Sequence, residues 1–293
     1  MMPRWIWLAP LLALLSACGT LPRGGGYYED DGPETSPPAD VANVPDAVPK
    51  TESRSVTGNK SYAVYGVTYS PLTDSRDYRE RGIASWYGKK FHGKRTSSGE
   101  PYDMYAMTAA HKTLPLPSYA RVRNLQNGRS VVVRVNDRGP FLHNRLIDLS
   151  YAAAARLGIL GTGTGVVEVE AVSPEEPETQ AAQVKTYPLQ VIAPAAAAEE
   201  LPKSPAATAG PKLYLQVGAF TQWDNAANLR NRLEREALRP ISIQPPQAAK
   251  GNAPDAARVY RVRVGPLTNV EEGDRLTERA AQLGVPDARI VVE

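Results

Sequence analysis

Proline and glycine are unevenly spread along these 293 residues, and that unevenness confines folding to two stretches. Residues 18–79 and 173–211 are rich in Pro, Gly, Asp, Ser, Thr or Ala and carry little apolar periodicity, from Gly24-Gly25-Gly26 to the run Pro194-Ala195-Ala196-Ala197-Ala198. Segments of that composition bury too little surface to offset the entropy of ordering them, so they read as disordered: a tether and a linker. Residues 80–172 and 212–293 remain, each the size of one small domain. A flexible linker of this length has a root-mean-square span of roughly 35 Å, which lets two domains reach neighbouring stretches of one polymer.

The N-terminus addresses the compartment. Arg4 precedes an apolar run from Trp5 to Leu15 that is too short to span a bilayer and ends in small residues, so residues 1–17 read as a signal peptide. Leu15-Ser16-Ala17-Cys18 resembles a bacterial lipobox, whose cysteine is acylated and becomes the new N-terminus. Cys18 is the single cysteine of the chain, which leaves no disulfide framework to explain it. Gly19 after the cysteine implies a lipid anchor in the outer membrane, facing the periplasm. The net charge is only +3 and no Lys/Arg run stands out, so a nucleic-acid partner is excluded.

Within residues 80–172, the segments Gly82–Gly88, Ala120–Leu125, Ser130–Val135 and Val166–Val172 alternate as strands, and Asn127-Gly128 predicts a hairpin. One helix is predicted over Tyr151–Leu157, with Ser150 as N-cap and Gly158 as its stop. Short strands around one helix suggest an all-β closed barrel. Glu100 in a Gly-Glu-Pro turn, His111, and Asp137 where a β-branched strand meets Arg-Gly-Pro are the proton-transferring groups of this stretch. General acid/base chemistry needs an acid with a second carboxylate that can stabilise or relay charge, and Asp137 and Glu100 are the candidates. Plainer roles stand beside these: Glu100 as a solvated turn residue, Asp137 as a salt bridge to Arg138 or an Asx cap, His111 as a satisfied structural residue. His92, His111 and His143 lack ligand spacing, so neither a metal nor another cofactor is expected.

Ala84-Ser85-Trp86-Tyr87-Gly88, Ser98-Gly99-Glu100, Thr108-Ala109-Ala110-His111, Val135-Asn136-Asp137-Arg138-Gly139-Pro140 and Ile147-Asp148-Leu149-Ser150 resemble the double-psi β-barrel of the rare lipoprotein A family. That resemblance implies a lytic transglycosylase acting on peptidoglycan, in which the 6-hydroxyl of N-acetylmuramic acid attacks its own anomeric carbon without water. Asp137 is then the general acid/base, Glu100 its partner carboxylate and His111 a hydrogen-bonding support, although the Asp/Glu order is open. Asn136 and Arg138 fall in the substrate groove by the same likeness; Asp148 either fixes the helix entry or, by likeness to expansins, lines that groove with an unassigned role. Of Trp86 and Tyr87, alternation lets one face the groove, and Tyr87 is the sugar-stacking candidate.

Residues 212–293 carry an internal repeat: Leu213–Phe220 is echoed by Val259–Leu267, and each strand precedes a helical pattern. The order βαββαβ predicts an α+β, RNP-like sheet with both helices on one face. Gln216-Val217-Gly218-Ala219-Phe220 and Tyr260–Pro266 resemble the SPOR domain, which implies binding of glycan denuded of stem peptides at division septa. Period-two geometry puts Leu215, Val217, Val262 and Val264 toward the helices and Tyr214, Gln216, Arg261 and Arg263 on the open face, with Phe220 and Trp223 at the strand-to-helix turn. The expectation is a septal peptidoglycan lytic transglycosylase; its rival is an expansin-like wall protein that binds glycan without cleaving it.

Overall fold

The structure, a computed structural model, describes residues 31–33, 36–142, 144–174, 210–246 and 259–293. The signal peptide, Cys18, His143 and most of the linker lie outside the described residues. A short hairpin, β1 (Tyr62–Val64) and β2 (Val67–Tyr69), precedes a closed barrel. The barrel strands are β3 (Arg79–Tyr87), β4 (Thr108–His111), β5 (Ser118–Asn124), β6 (Ser130–Asp137), β7 (Ile147–Ser150) and β8 (Gly165–Val172). They close in the order β3-β7-β4-β6-β5-β8, with β3/β7 and β4/β6 parallel and the other pairs antiparallel. Inside the barrel, Val131, Val133, Val135, Ile147 and Leu149 are fully buried.

Helix α1 (Tyr151–Leu157) forms as its caps dictate. The Ser150 hydroxyl accepts from the Ala153 N–H at 3.2 Å, and Gly158 closes the helix in the left-handed region at φ 76°, where a side chain would be strained. The hairpin at Asn127-Gly128 joins β5 to β6 as predicted.

The strands β4 and β7 were not legible as strands. Each has only four residues, and Thr-Ala-Ala-His carries little β-branched density to mark it.

A larger difference concerns residues 36–78, which pack on the barrel and do not hang free. Val41, Val44 and Ala47 touch the barrel core, Ala47 N donates to Val132 O, and Asn59 bonds the backbone of Leu116. Composition hid this because the contacts are made one residue at a time, by backbone groups and isolated polar side chains.

The C-terminal elements are β9 (Leu213–Phe220), α2 (Trp223–Arg235), β10 (Ile241–Gln244), β11 (Tyr260–Leu267), α3 (Val270–Gln282) and β12 (Arg289–Val292). The sheet order is β10-β11-β9-β12, all antiparallel. Leu215, Val217, Val262 and Val264 form the core with Ala226, Leu233, Val270 and Ala280 of the helices. This unit also meets the barrel: Arg145, before β7, makes a two-pronged ion pair with Asp274 of α3 at 2.7 and 3.1 Å, and Asn144 bonds Thr277 and the Ile290 N–H.

Candidate functional site

The site is built on a β-bulge. Along β6, alternation would send Asp137 into the core behind Val131, Val133 and Val135. Register breaks that pattern: Ala109 pairs with Val135 but Ala110 pairs with Asp137, so Asn136 is an extra residue and Asp137 is returned to the outer face. Ala110 also pairs with Asp148 of β7, and Asp148 with Ser85 of β3. Asp137, Ala110, Asp148 and Ser85 therefore lie in one cross-strand row, with the alanine methyl as a low floor between two carboxyl groups. Neighbours in such a row stand about 5 Å apart between Cβ atoms, so the two carboxyls lie on one face of the barrel, one strand apart across Ala110.

Asp137 is held rigidly by the loop that carries Glu100. Its Oδ1 accepts from Ser97 N at 2.8 Å, Ser97 Oγ at 2.7 Å and Arg138 N at 2.7 Å. The loop is pinned along β6 by Ser98 N donating to Asn136 O and closes on itself through Thr96 N to Glu100 O. Glu100 accepts from Arg134 at 2.6 Å, and the same guanidinium grips Glu52 with two bonds of 2.8 and 2.9 Å. Arg134 beside Glu52 pulls that carboxyl down to about 2. The loop thus brings Glu100 and Asp137 onto one stretch of β6, and Glu52, with no sequence signal of its own, joins them.

Asp148 is enclosed. Burial pushes its carboxyl up to about 6, against the Ser85 hydroxyl that donates to it and the positive charges of Arg145 and Lys112. A carboxyl whose folded value lies above its unfolded one adds stability that is complete below about pH 4 and is lost as pH rises through 6. Asp148→Asn is therefore expected to gain about 2 kcal/mol relative to the parent between pH 4 and pH 8. Urea unfolding at the two pH values measures this, and parallel pH profiles for the two chains would contradict the buried charge.

Several assigned residues sit differently from expectation. His111 is 2 % exposed; its Nδ1 accepts from the N–H groups of Thr113 and Leu114, and its Nε2 faces the Tyr78 hydroxyl at 2.9 Å. Because Nδ1 is an acceptor, the proton lies on Nε2, and the ring reaches a carboxylate only through Tyr78, whose hydroxyl bonds Glu80. His111 lines a hollow with Glu80, Lys112 and Arg145. Arg138 is not directed at a ligand: its guanidinium donates to the carbonyls of Gly58, His111 and Leu114 and to Asn59, clamping residues 58–59 to the barrel. Tyr87 offers no stacking face, since the residue is buried and Tyr102 covers one side of its ring with centroids 4.0 Å apart. Its buried hydroxyl lies near Thr108, where the charges of Asp137 and Asp148 both act on it. Asn136 Oδ1 is buried without a partner at the bulge.

On the C-terminal sheet, Gln216 pairs with Arg263 on one side and Arg289 on the other, giving a row of two guanidinium groups and an amide on the open face. Arg289 was missed, although the alternation Arg289-Ile290-Val291-Val292 carries the signal. Arg263 is less available than expected because the Glu293 carboxylate pairs with it. Tyr214 and Arg261 occupy the open face as predicted by period two, opposite Val291 and Ala219 respectively. Phe220 does not: a register shift at Val217 reverses its side, and it lies beside Leu229 under the sheet. Trp223 is 48 % exposed and meets Tyr260 edge to face.

Comparison with known proteins agrees with this architecture. Residues 79–171 match the family model described as Lytic transglycolase, and residues 209–290 match the SPOR domain. Over 282 residues the chain is 43 % identical to a protein of Pseudomonas aeruginosa (strain UCBPP-PA14) named endolytic peptidoglycan transglycosylase RlpA, covering 84 % of this chain and 81 % of that one. A protein of the same name from Vibrio cholerae serotype O1 is 47 % identical over 182 residues, 62 % of this chain and 69 % of its own. Among solved structures, a Streptomyces papain inhibitor aligns with a TM-score of 0.28 at 25 % identity, over 33 % of this chain and 96 % of that one, a likeness too slight to carry an argument. With a bulged barrel bearing paired carboxyls, a SPOR sheet and relatives this similar over most of their length, the chain belongs to the RlpA family of endolytic peptidoglycan transglycosylases.

Proposed function

We propose that this protein cleaves peptidoglycan glycan strands from within as a lytic transglycosylase, with Asp137 as general acid/base. The supporting observation is the bulge at Asn136, which turns Asp137 outward into a row with Asp148 and leaves it fixed by Ser97. With Oδ1 taken by three donors, Oδ2 is the oxygen that carries the proton to the bridging oxygen between N-acetylmuramic acid and N-acetylglucosamine. As that C1–O bond breaks, the 6-hydroxyl of the same muramic residue attacks C1, and its proton passes to the Asp137 carboxylate. A 1,6-anhydro ring forms, and the acid is restored with no water consumed. Because the attack is intramolecular, the main demand on the protein is a rigid groove that orients the hydroxyl. Glu100, held by Arg134, contributes negative charge beside the oxocarbenium-like centre. His111 supports the groove by fixing the backbone at 113–114.

The open face of the SPOR sheet, around Gln216, Arg261 and Arg289, holds glycan stripped of stem peptides and concentrates the barrel on septal wall. A lipid on Cys18 anchors the chain to the outer membrane. Purified full chain incubated with sacculi, intact and amidase-treated, is expected to release anhydro-muramyl ends, with greater binding to the treated sample. Reducing muramyl ends would indicate hydrolysis, and binding with no new ends would favour the expansin-like alternative.

A further inference from the structure

The first described residues of the chain lie against the end of β3, beside the row of carboxyls. Asp31 is 8 % exposed, although it belongs to a stretch whose composition predicts a free tether. Its Oδ2 accepts from Gly88 N at 2.8 Å and its Oδ1 from Lys90 N at 3.0 Å, while the intervening Lys89 N donates to Gly32 O at 2.9 Å. Two backbone N–H groups of one turn, those of Gly88 and Lys90, thus hold the two oxygens of one carboxylate, while Lys89 N–H between them ties the turn to the Gly32 carbonyl. The fit depends on glycine at 88, because a Cβ there would fall 2.1 Å from Gly32 O and 3.0 Å from Asp31 Oδ1. The seat adjoins the groove: the negative charge of Asp31 acts on both Asp148 and Tyr102, and Tyr102 bonds the Tyr87 carbonyl at 2.7 Å.

We propose that the turn Gly88–Lys90 is a carboxylate-binding subsite of the groove, occupied in the resting chain by its own Asp31 and in the working chain by a carboxylate of the glycan. Resting on the reading of the substrate given above, the ligand group is the lactyl carboxylate of muramic acid. In strands that carry stem peptides this group is an amide, with one carbonyl oxygen and an attached chain. Once the peptide is removed it is a free carboxylate, chemically the group that Asp31 presents. Asp31 then sets the concentration of glycan carboxylate at which the seat fills.

Amide NMR of the full chain tests this with N-acetylglucosaminyl-N-acetylmuramic acid as the probe. The Gly88 and Lys90 N–H signals are expected to move with the free-acid disaccharide, at about tenfold lower concentration in Asp31→Ala than in the parent, because self-occupancy reduces apparent affinity by the fraction of empty seats. The lactyl methylamide of the same disaccharide is expected to leave both signals in place. Gly88→Ala, which fills the seat, is expected to abolish the response in either background. Equal half-saturation in parent and Asp31→Ala, or equal response to acid and amide, overturns the proposal. This readout is independent of cleavage: a normal titration by a chain that makes no anhydro ends would sink the enzymatic reading and leave the subsite standing.

Discussion

Asp137→Asn is expected to lower the release of anhydro-muramyl ends by about 10²- to 10⁴-fold, the usual contribution of a positioned general acid. The asparagine is nearly isosteric, and its carbonyl oxygen can still accept from Ser97 and Arg138, so the loop bearing Glu100 stays docked on β6. The change removes the ability of the second oxygen to carry a proton to the glycosidic bond and later to receive one from the 6-hydroxyl. Glycan binding, measured by sedimentation with sacculi, is expected to hold within about threefold, since the acid serves the transition state rather than the ground state. Mass spectrometry of the muropeptide products is the deciding measurement. Undiminished anhydro product would remove Asp137 from the chemistry and shift the assignment to Asp148, the other carboxyl of the row.

The second large effect concerns folding in acid. Burial, reinforced by the nearby positive charges of Lys112 and Arg138, holds His111 down to about 3 from its ordinary 6.5. A histidine depressed in this way contributes stability that is complete above about pH 6.5 and is lost as pH falls through its folded value. The loss is expected to reach on the order of 4 kcal/mol by pH 3, a large fraction of the stability of a domain this size. The physical origin is that a protonated Nδ1 can no longer accept from Thr113 and Leu114, which leaves two buried N–H groups facing a cation. Urea unfolding from pH 7 to pH 3 measures the slope, and imidazole NMR reads the titration. A ring that protonates near pH 6.5 with no loss of stability would refute the account. Glu52 acts at lower pH, because its contribution is present above 4.5 and disappears only as pH approaches 2.

The contrast between His111 and Asp137 shows where sequence reasoning reaches its limit. Both are polar residues at strand ends, and their neighbours along the chain give each the same appearance of a reactive group. Tertiary packing separates them: His111 has both nitrogens engaged, whereas Asp137 is turned outward by one extra residue. Arg138 was assigned to a ligand by family likeness and Arg263 because a guanidinium on an open sheet face is a good donor to sugars, but each is engaged by the chain itself, one by backbone carbonyls and the other by Glu293. Partners of that kind lie up to 80 positions away along the chain, as Gly58 does from Arg138, and no local pattern announces them.

What the sequence by itself determined were the elements with strong local causes. Alternating β-branched runs placed β5, β6 and β8, Ser150 and Gly158 bounded α1, and the internal repeat specified the βαββαβ order. In each case the energetic preference is written within a few residues of where it acts. Tertiary structure decided the rest. The parallel pairs β3/β7 and β4/β6, the bulge at Asn136, the packing of residues 36–78 and the seating of Asp31 all depend on contacts between distant segments. Their stabilisation comes from backbone groups, buried apolar surface and a few side chains, such as Asp31, Asn59 and Arg138, whose partners lie far along the chain. They leave little local trace, and yet they determine which of the visible carboxyl groups faces the groove.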